Sequence, residues 1–359
     1  MSRLIAALVL ASVLVSMGCQ AGGARRTGLL LDAVDAQDLG YALGWASTAD
    51  VRKPRRIVNV GIVGDLIVVI EEPGNMVKAL SLSDGSLRWA TVVGTASELL
   101  FGPRGVDSQV IVNTETQLYR LSAETGDVLG ISKLDHPVTH APVVTDRVAV
   151  FGGVNGRVFA HDFYAGFALW QYDLTANVKA APVREGNSIV AADSAGVYAL
   201  LNIETGVAAW RGRTFGAVTA TPTVNRFAVL IPSQDGSLYA INRTTGRDQW
   251  VYRSDAPIMV SPVAIDNRVF LFTPGTGTVA LDATSGKELW TRADGARPIR
   301  IDGTRILMSS GKRLIYADAD TGKTIDERQT LPLRTALEGP DGSLILVSPD
   351  GKMQRLNRR

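Results

Sequence analysis

The chain has 359 residues, 46% of them hydrophobic, with 36 Gly, 15 Pro and a single Cys. That composition describes a turn-rich globular protein and excludes a low-complexity or disordered chain. The 37 basic and 35 acidic residues leave a formal charge of +2 with no basic block, which excludes a nucleic-acid binder built on a basic stripe. One cysteine excludes a disulfide within the chain.

In chain order, the first element is a targeting segment. Arg3 precedes an apolar run over residues 4–15, and Ser16 and Gly18 supply a small-residue cleavage site. The run is shorter than the roughly 20 residues that span a bilayer. Cys19 follows Gly18 directly, an arrangement that resembles a bacterial lipoprotein signal. The resemblance implies a signal peptide over 1–18, cleavage before Cys19 and lipidation of Cys19. Ser16 stands where that signal usually carries Leu, so an ordinary secretory cut after Gly18 stays open as the alternative. Gln20, in place of Asp, follows the cysteine; by resemblance to sorting in Gram-negative envelopes this points to a periplasm-facing outer-membrane anchor. Residues 19–37 are then expected as a tether, and 38–359 as one domain.

Beyond the tether a repeat organises the chain. Turn glycines stand at Gly85, Gly126, Gly166, Gly206, Gly246, Gly286 and Gly322, in steps of about 40 residues. Trp89, Trp170, Trp210, Trp250 and Trp290 each lie four residues after their glycine, while Gly130 and Asp326 fill that place in the second and seventh repeats. Four residues before each glycine stands Ser81, Ser122, Asp162, Asn202, Asn242, Asp282 or Asp318, short polar side chains that hydrogen-bond nearby backbone N–H groups and fix a turn. Ala160, Ala240 and Ala280 are small enough to receive an indole ring. Pro142, Pro182, Pro222 and Pro262 form a second ladder in step with the first. Between the ladders lie short runs such as "RVAVFG", "FAVLIP" and "SLYAIN", separated by Gly, Asp and Asn turns, and no segment has a convincing helical period. Three to four short strands per ~40 residues predict an all-β protein in which each repeat is one blade of a β-propeller.

The ring closes at its termini. Residues 342–356 predict two further strands that lack the Gly-then-Trp outer strand. Trp45, the tryptophan outside the ladder, lies in "DLGYALGWAST" (38–48), which is expected to join the last sheet as the outer strand of an eighth blade. Pairing the termini removes the open edges of a linear array.

The stretches "ALDATSGKELW" (280–290) and "AINRTTGRDQW" (240–250), and more loosely "ALSLSDGSLRW" (79–89), resemble the quinoprotein-type repeat of pyrroloquinoline quinone (PQQ) dehydrogenases. The resemblance covers residues 56–359. An eight-bladed PQQ-like propeller on a lipid tether is similar to the BamB family of outer-membrane assembly lipoproteins. This implies a monomeric, non-catalytic scaffold without cofactor, held to the membrane by its lipid. It further implies binding to envelope proteins, including the periplasmic region of a barrel-assembly subunit, and holding of unfolded clients by edge pairing. The family's partner site uses a Leu/Arg loop between neighbouring blades and an acidic pair; the corresponding connections, 171–182 and 211–222, carry neither. Two other readings stay open: a propeller that senses a small ligand or glycan through its central funnel, and a quinone-dependent dehydrogenase. The dehydrogenases hold the quinone over the axis with Ca²⁺, a catalytic Asp and often a disulfide between adjacent cysteines, which Cys19 alone cannot form.

Residue patterns for other chemistry are sparse, and no catalytic, metal or cofactor residue is assigned. His136, His140 and His161 are the only histidines, and His140, at a position filled by Ala180, Ala220 and Val260 in later repeats, reads as isolated and channel-facing. "DADTG" (318–322) starts like a calcium loop but lacks its closing Glu. Arg213, Arg253 and Arg292 lie three, three and two residues after successive tryptophans, and are expected to cluster on one face of the disc as candidate partner-binding residues. The closing "RLNRR" (355–359) reads as a solvated tail.

Overall fold

The computed structural model describes residues 28–359; the expected signal peptide and the lipidation site Cys19 lie outside them. Among the described residues, the short β-rich runs pair into eight four-stranded antiparallel sheets, one per repeat. Blades 1 to 7 occupy 56–92, 101–133, 143–173, 183–213, 223–253, 263–292 and 297–329. The first strands of successive blades contact one another, so strand a of each blade lies nearest the axis and strand d at the rim. This is the eight-bladed propeller expected from the repeat.

Each sheet is sandwiched between two others, which explains the pattern within a blade. Middle strands are covered on both faces and read as continuous apolar runs: Ile67, Val68, Val69 and Ile70 are all fully buried. Rim strands are covered on one face only, and Phe167–Asp173 alternates between exposed and half-buried residues.

Blade 8 joins the two ends of the chain. Thr335–Glu338, Leu344–Val347 and Lys352–Arg358 form its inner strands, and Tyr41–Thr48 pairs antiparallel with the last of them, Tyr41 opposite Arg358 and Thr48 opposite Lys352. The expected closure is therefore present. The solvated tail is not: Leu356 is fully buried and Arg355 donates to the Leu82 carbonyl at 2.6 Å, because 355–358 complete a strand.

Residues 30–37, expected as part of the tether, pack against the ring. Leu30, Leu31, Ala36 and Leu39 are buried against Leu307, Leu314, Tyr316 and Leu356. Gln354 holds this strap: its Oε1 accepts from the N–H groups of Leu30 and Leu31 at 2.8 and 2.9 Å, and its Nε2 donates to the Leu31 carbonyl at 2.7 Å. A short helix α1 (Ala33–Asp38) follows, its N-cap Asp32 accepting from the Asp35 N–H. Six residues are too few to show a helical period, so the sequence carried only the cap as a signal.

Candidate interaction surface and the seams that present it

The tryptophan ladder is a set of clasps between blades. Trp45, Trp89, Trp170, Trp210, Trp250 and Trp290 each lay their ring on the turn glycine of the next blade: Gly85, Gly126, Gly206, Gly246, Gly286 and Gly322. Gly286 shows why no other residue serves. Its φ is +70°, and a Cβ would stand 2.5 Å from the Trp250 ring. Each indole N–H donates to the carbonyl three residues before the receiving glycine, as Trp45 does to Leu82 at 3.0 Å and Trp250 to Ala283 at 3.2 Å. The expected small residues face the tryptophan of their own blade, Ala240 opposite Trp250 and Ala280 opposite Trp290. The short polar residues fix the turns as expected: Asn242 Oδ1 accepts from Thr244 and Thr245, and Asp282 Oδ1 from Thr284 and Ser285.

Two blades lack the tryptophan, and each has a substitute. In blade 2 the small and large positions exchange: Gly130 stands opposite Arg120, whose guanidinium lies over the Tyr164 ring of blade 3 at 4.4 Å. Beside it, His161 Nδ1–H donates to Asp135 Oδ2 at 3.1 Å, and Nε2 accepts from Ser132 Oγ at 2.5 Å. This chain has the connectivity of a nucleophilic triad, but Ser132 is only 7% exposed and His161 is fully buried, so it fastens the seam and has no open face at the serine. Sequence reading missed it, because the three residues come from two blades.

Blade 7 lacks its tryptophan because blade 8 has chain ends where other blades have the receiving turn. Asp326, opposite Tyr316, instead pairs with Arg328, which also binds Asp35 at 3.2 Å and Asp38 at 3.1 Å on α1. The N-terminal strap thus replaces both turn and ring in this seam.

His140 is not an isolated channel residue. Its Nε2 donates to the Ala180 carbonyl of the next blade at 3.0 Å and its Nδ1 accepts from Thr139 Oγ1 at 3.1 Å. Burial, with the nearby Arg104 charge, pushes its pKa down to about 4.

Of the three candidate arginines, the structure leaves two exposed. Arg213 and Arg253 end the rim strands of blades 4 and 5 in solvent. Arg292 is committed to the seam: it donates to the Gly322 carbonyl at 2.6 Å and to Thr324 Oγ1 at 3.1 Å, and pairs with Asp294 at 2.5 Å. Its offset of two residues from Trp290, not three, was the signal. Side chains alternate along a strand, so one residue moves the group to the face that meets the next blade. Ser47 and Thr91, at the same offset, bind the carbonyls of Gly85 and Gly126.

Antiparallel order places the links between blades and the turns between middle strands at one end of the disc. There the link from blade 4 to blade 5 raises Phe215, which is 90% exposed, two residues beyond Arg213. Its backbone is held firmly. The Phe215 N–H donates to Asp235 Oδ2 at 3.1 Å, and Thr214 Oγ1 bonds the carbonyls of Gly196 and Gly216 at 3.2 and 2.7 Å. Gly216 has no room for a side chain, because a Cβ would lie 2.5 Å from the Asp235 nitrogen. In the next link Met259 is 61% exposed beyond Arg253. Sequence reading found the arginines but not Phe215, since exposure of an apolar residue has no signature in the repeat.

At the rim, the outer strands of blades 2 and 3 expose Val128, Leu129, Ile131, Phe167 and Leu169. The corresponding strands of blades 4 to 7 read "AAWRGR", "DQWVYR", "ELWTR" and "TIDERQ", with the charges that normally guard an edge.

The sequence profile of the family described as outer membrane protein assembly factor BamB matches residues 73–180 and 154–359. The chain belongs to this family. A Yersinia pestis protein named outer membrane protein assembly factor BamB is 33% identical over 135 residues, a region covering 35% of this chain and 34% of that protein. Among solved structures, BamB from Moraxella catarrhalis superposes with a TM-score of 0.70 at 18% identity, over 88% of this chain and 99% of that one. A quinohemoprotein alcohol dehydrogenase from Pseudomonas putida HK5 superposes with a TM-score of 0.68 at 14% identity, over 90% of this chain and 77% of that one. At such identities the superpositions establish the propeller and nothing about chemistry.

The sequence lacks a second cysteine for the adjacent disulfide. Among the described residues no group of three or more His, Cys, Asp or Glu side chains converges to hold a metal.

Proposed function

We propose that this protein is a non-catalytic interaction scaffold of the bacterial envelope, acting in the assembly of outer-membrane proteins as the name of its family describes. Phe215 carries the reading: a fully exposed aromatic side chain on a backbone fastened by Asp235 and Thr214. An aromatic ring protruding from a fixed backbone next to arginine suits an interface hot spot, because the loop that carries it loses little entropy when it docks. Arg213 and Arg253 flank it as charged contacts, and Arg292 drops out of the candidate set because it serves the seam. The scaffold works without cofactor, as a monomer closed on itself, and reaches its partners from a lipid anchor at Cys19 on the periplasmic side of the outer membrane.

The test is site-specific photo-crosslinking in the native envelope with a benzophenone residue at position 215, alongside affinity capture with F215A. The reading expects a protein adduct at 215 and at least tenfold weaker capture by F215A at unchanged melting temperature. Equal capture by wild type and F215A refutes the docking site. Membrane release of a Cys19→Ser chain checks the anchor separately.

A further inference from the structure

A cleft of about 560 Å³ opens between blades 6, 7 and 8, at the same end of the disc as Phe215 but lined by other residues. Its walls combine two kinds of group. Phe272, Ile299 and Leu333 supply an apolar floor, while Arg297 and Arg334 stand at its sides with Ser309. Among the described residues, no acidic side chain lines it. Arg297 lies over the Phe272 ring at 5.6 Å, and Arg334 donates through Nη2 to the Val58 carbonyl at 2.5 Å. Among the described residues, neither guanidinium lies within ion-pair distance of a carboxylate, although the neighbouring Arg300, Arg313 and Arg328 are all paired.

We propose that this cleft binds a small amphiphilic anion, a carboxylate or phosphate carried on a short apolar body. Three features select that chemistry. The volume matches a small-molecule site, for which about 300–1,000 Å³ is usual. Two guanidiniums with remaining N–H donors offer charge-assisted, fork-shaped recognition of an oxyanion. The apolar floor rewards an attached hydrocarbon group and disfavours a bare, strongly hydrated ion. Rigidity is built in, since Arg297 is supported by the Phe272 ring and Arg334 by the first strand of blade 1. The site uses none of the residues of the proposed docking surface, so either reading can fail without the other.

The test titrates the folded chain with octanoate and octyl phosphate, with octanol and octylammonium as controls, by calorimetry. The expected result is saturable binding of at least one anion, weakened by added salt and at least tenfold by R297A. Binding of neither anion overturns the proposal, as does equal binding of octanol or undiminished binding by R297A. Because Arg334 also supports Val58, R334K, which keeps the charge, is paired with R334A. Recovery of binding in R334K over R334A supports an ionic role. Vesicles containing phosphatidylglycerol distinguish sources: vesicle binding lost in R297A marks a membrane-borne ligand, and binding of free anions alone marks a soluble one.

Discussion

His140 shows how far one residue departs from its place in the ladder. Later repeats carry Ala or Val there, whereas the imidazole of blade 3 spans to the Ala180 carbonyl. It stays neutral in the fold, its pKa held at about 4, against about 6.5 in the unfolded chain. The unfolded state therefore binds the extra proton between those values, and stability falls as pH drops through that window. The bond contributes fully above pH 6.5 and loses roughly 3 kcal/mol by about pH 4. Denaturant titrations of wild type and H140Q across pH 4–7.5 measure this directly. The difference between the two stabilities should shrink as the pH is lowered, and a constant difference contradicts the assignment. Arg292 teaches the same lesson about resolution. Its neighbours in sequence suggested a surface charge, and only the strand's alternation put it in a seam.

Among the elements, the recurring unit is a rim strand clasped to the next blade's turn. The seam between blades 2 and 3 reverses its sizes, with Arg120 and Gly130 where blades 1, 3, 5 and 6 have Ala and Trp. This inversion predicts strong coupling. R120A alone leaves a cavity, and G130W alone drives its ring into the Arg120 guanidinium. The double variant rebuilds the ordinary clasp, because the space beside Gly166 is open except for Ser132 Oγ at 3.8 Å. Thermal unfolding should find R120A/G130W more stable than the sum of its single changes by about 1–3 kcal/mol. Strict additivity would show that the two positions do not share one space.

For the whole molecule, the critical joint is the one without a covalent turn. Blade 8 is assembled from both chain ends, and Gln354 ties the strap at Leu30 and Leu31 to it through three hydrogen bonds. Replacing Gln354 by Ala removes all three and leaves buried backbone groups unpaired, a loss of about 3 kcal/mol. Hydrogen exchange locates the damage. Protection should fall first over residues 30–48, while the middle strands of blades 3 to 5 keep theirs; a uniform loss would mean that the ring opens elsewhere.

Much of this was legible in the residues themselves. The spacing of Gly and Trp set the blade count, and the stray Trp45 marked the closing strand. These signals are readable because local turn chemistry and strand alternation repeat every ~40 residues, so each copy reinforces the others. What broke the repeat could only be decided by tertiary structure. Asp326 looks like a lost tryptophan until blade 8 is seen to lack the turn that would receive one. Ser132, Asp135 and His161 form a chain only because two blades meet, and the strap from Leu30 is invisible as an element because its burial comes wholly from distant strands. Phe215 and the Arg297–Arg334 cleft are of the same kind: exposure and convergence are properties of the closed ring, not of any window of sequence.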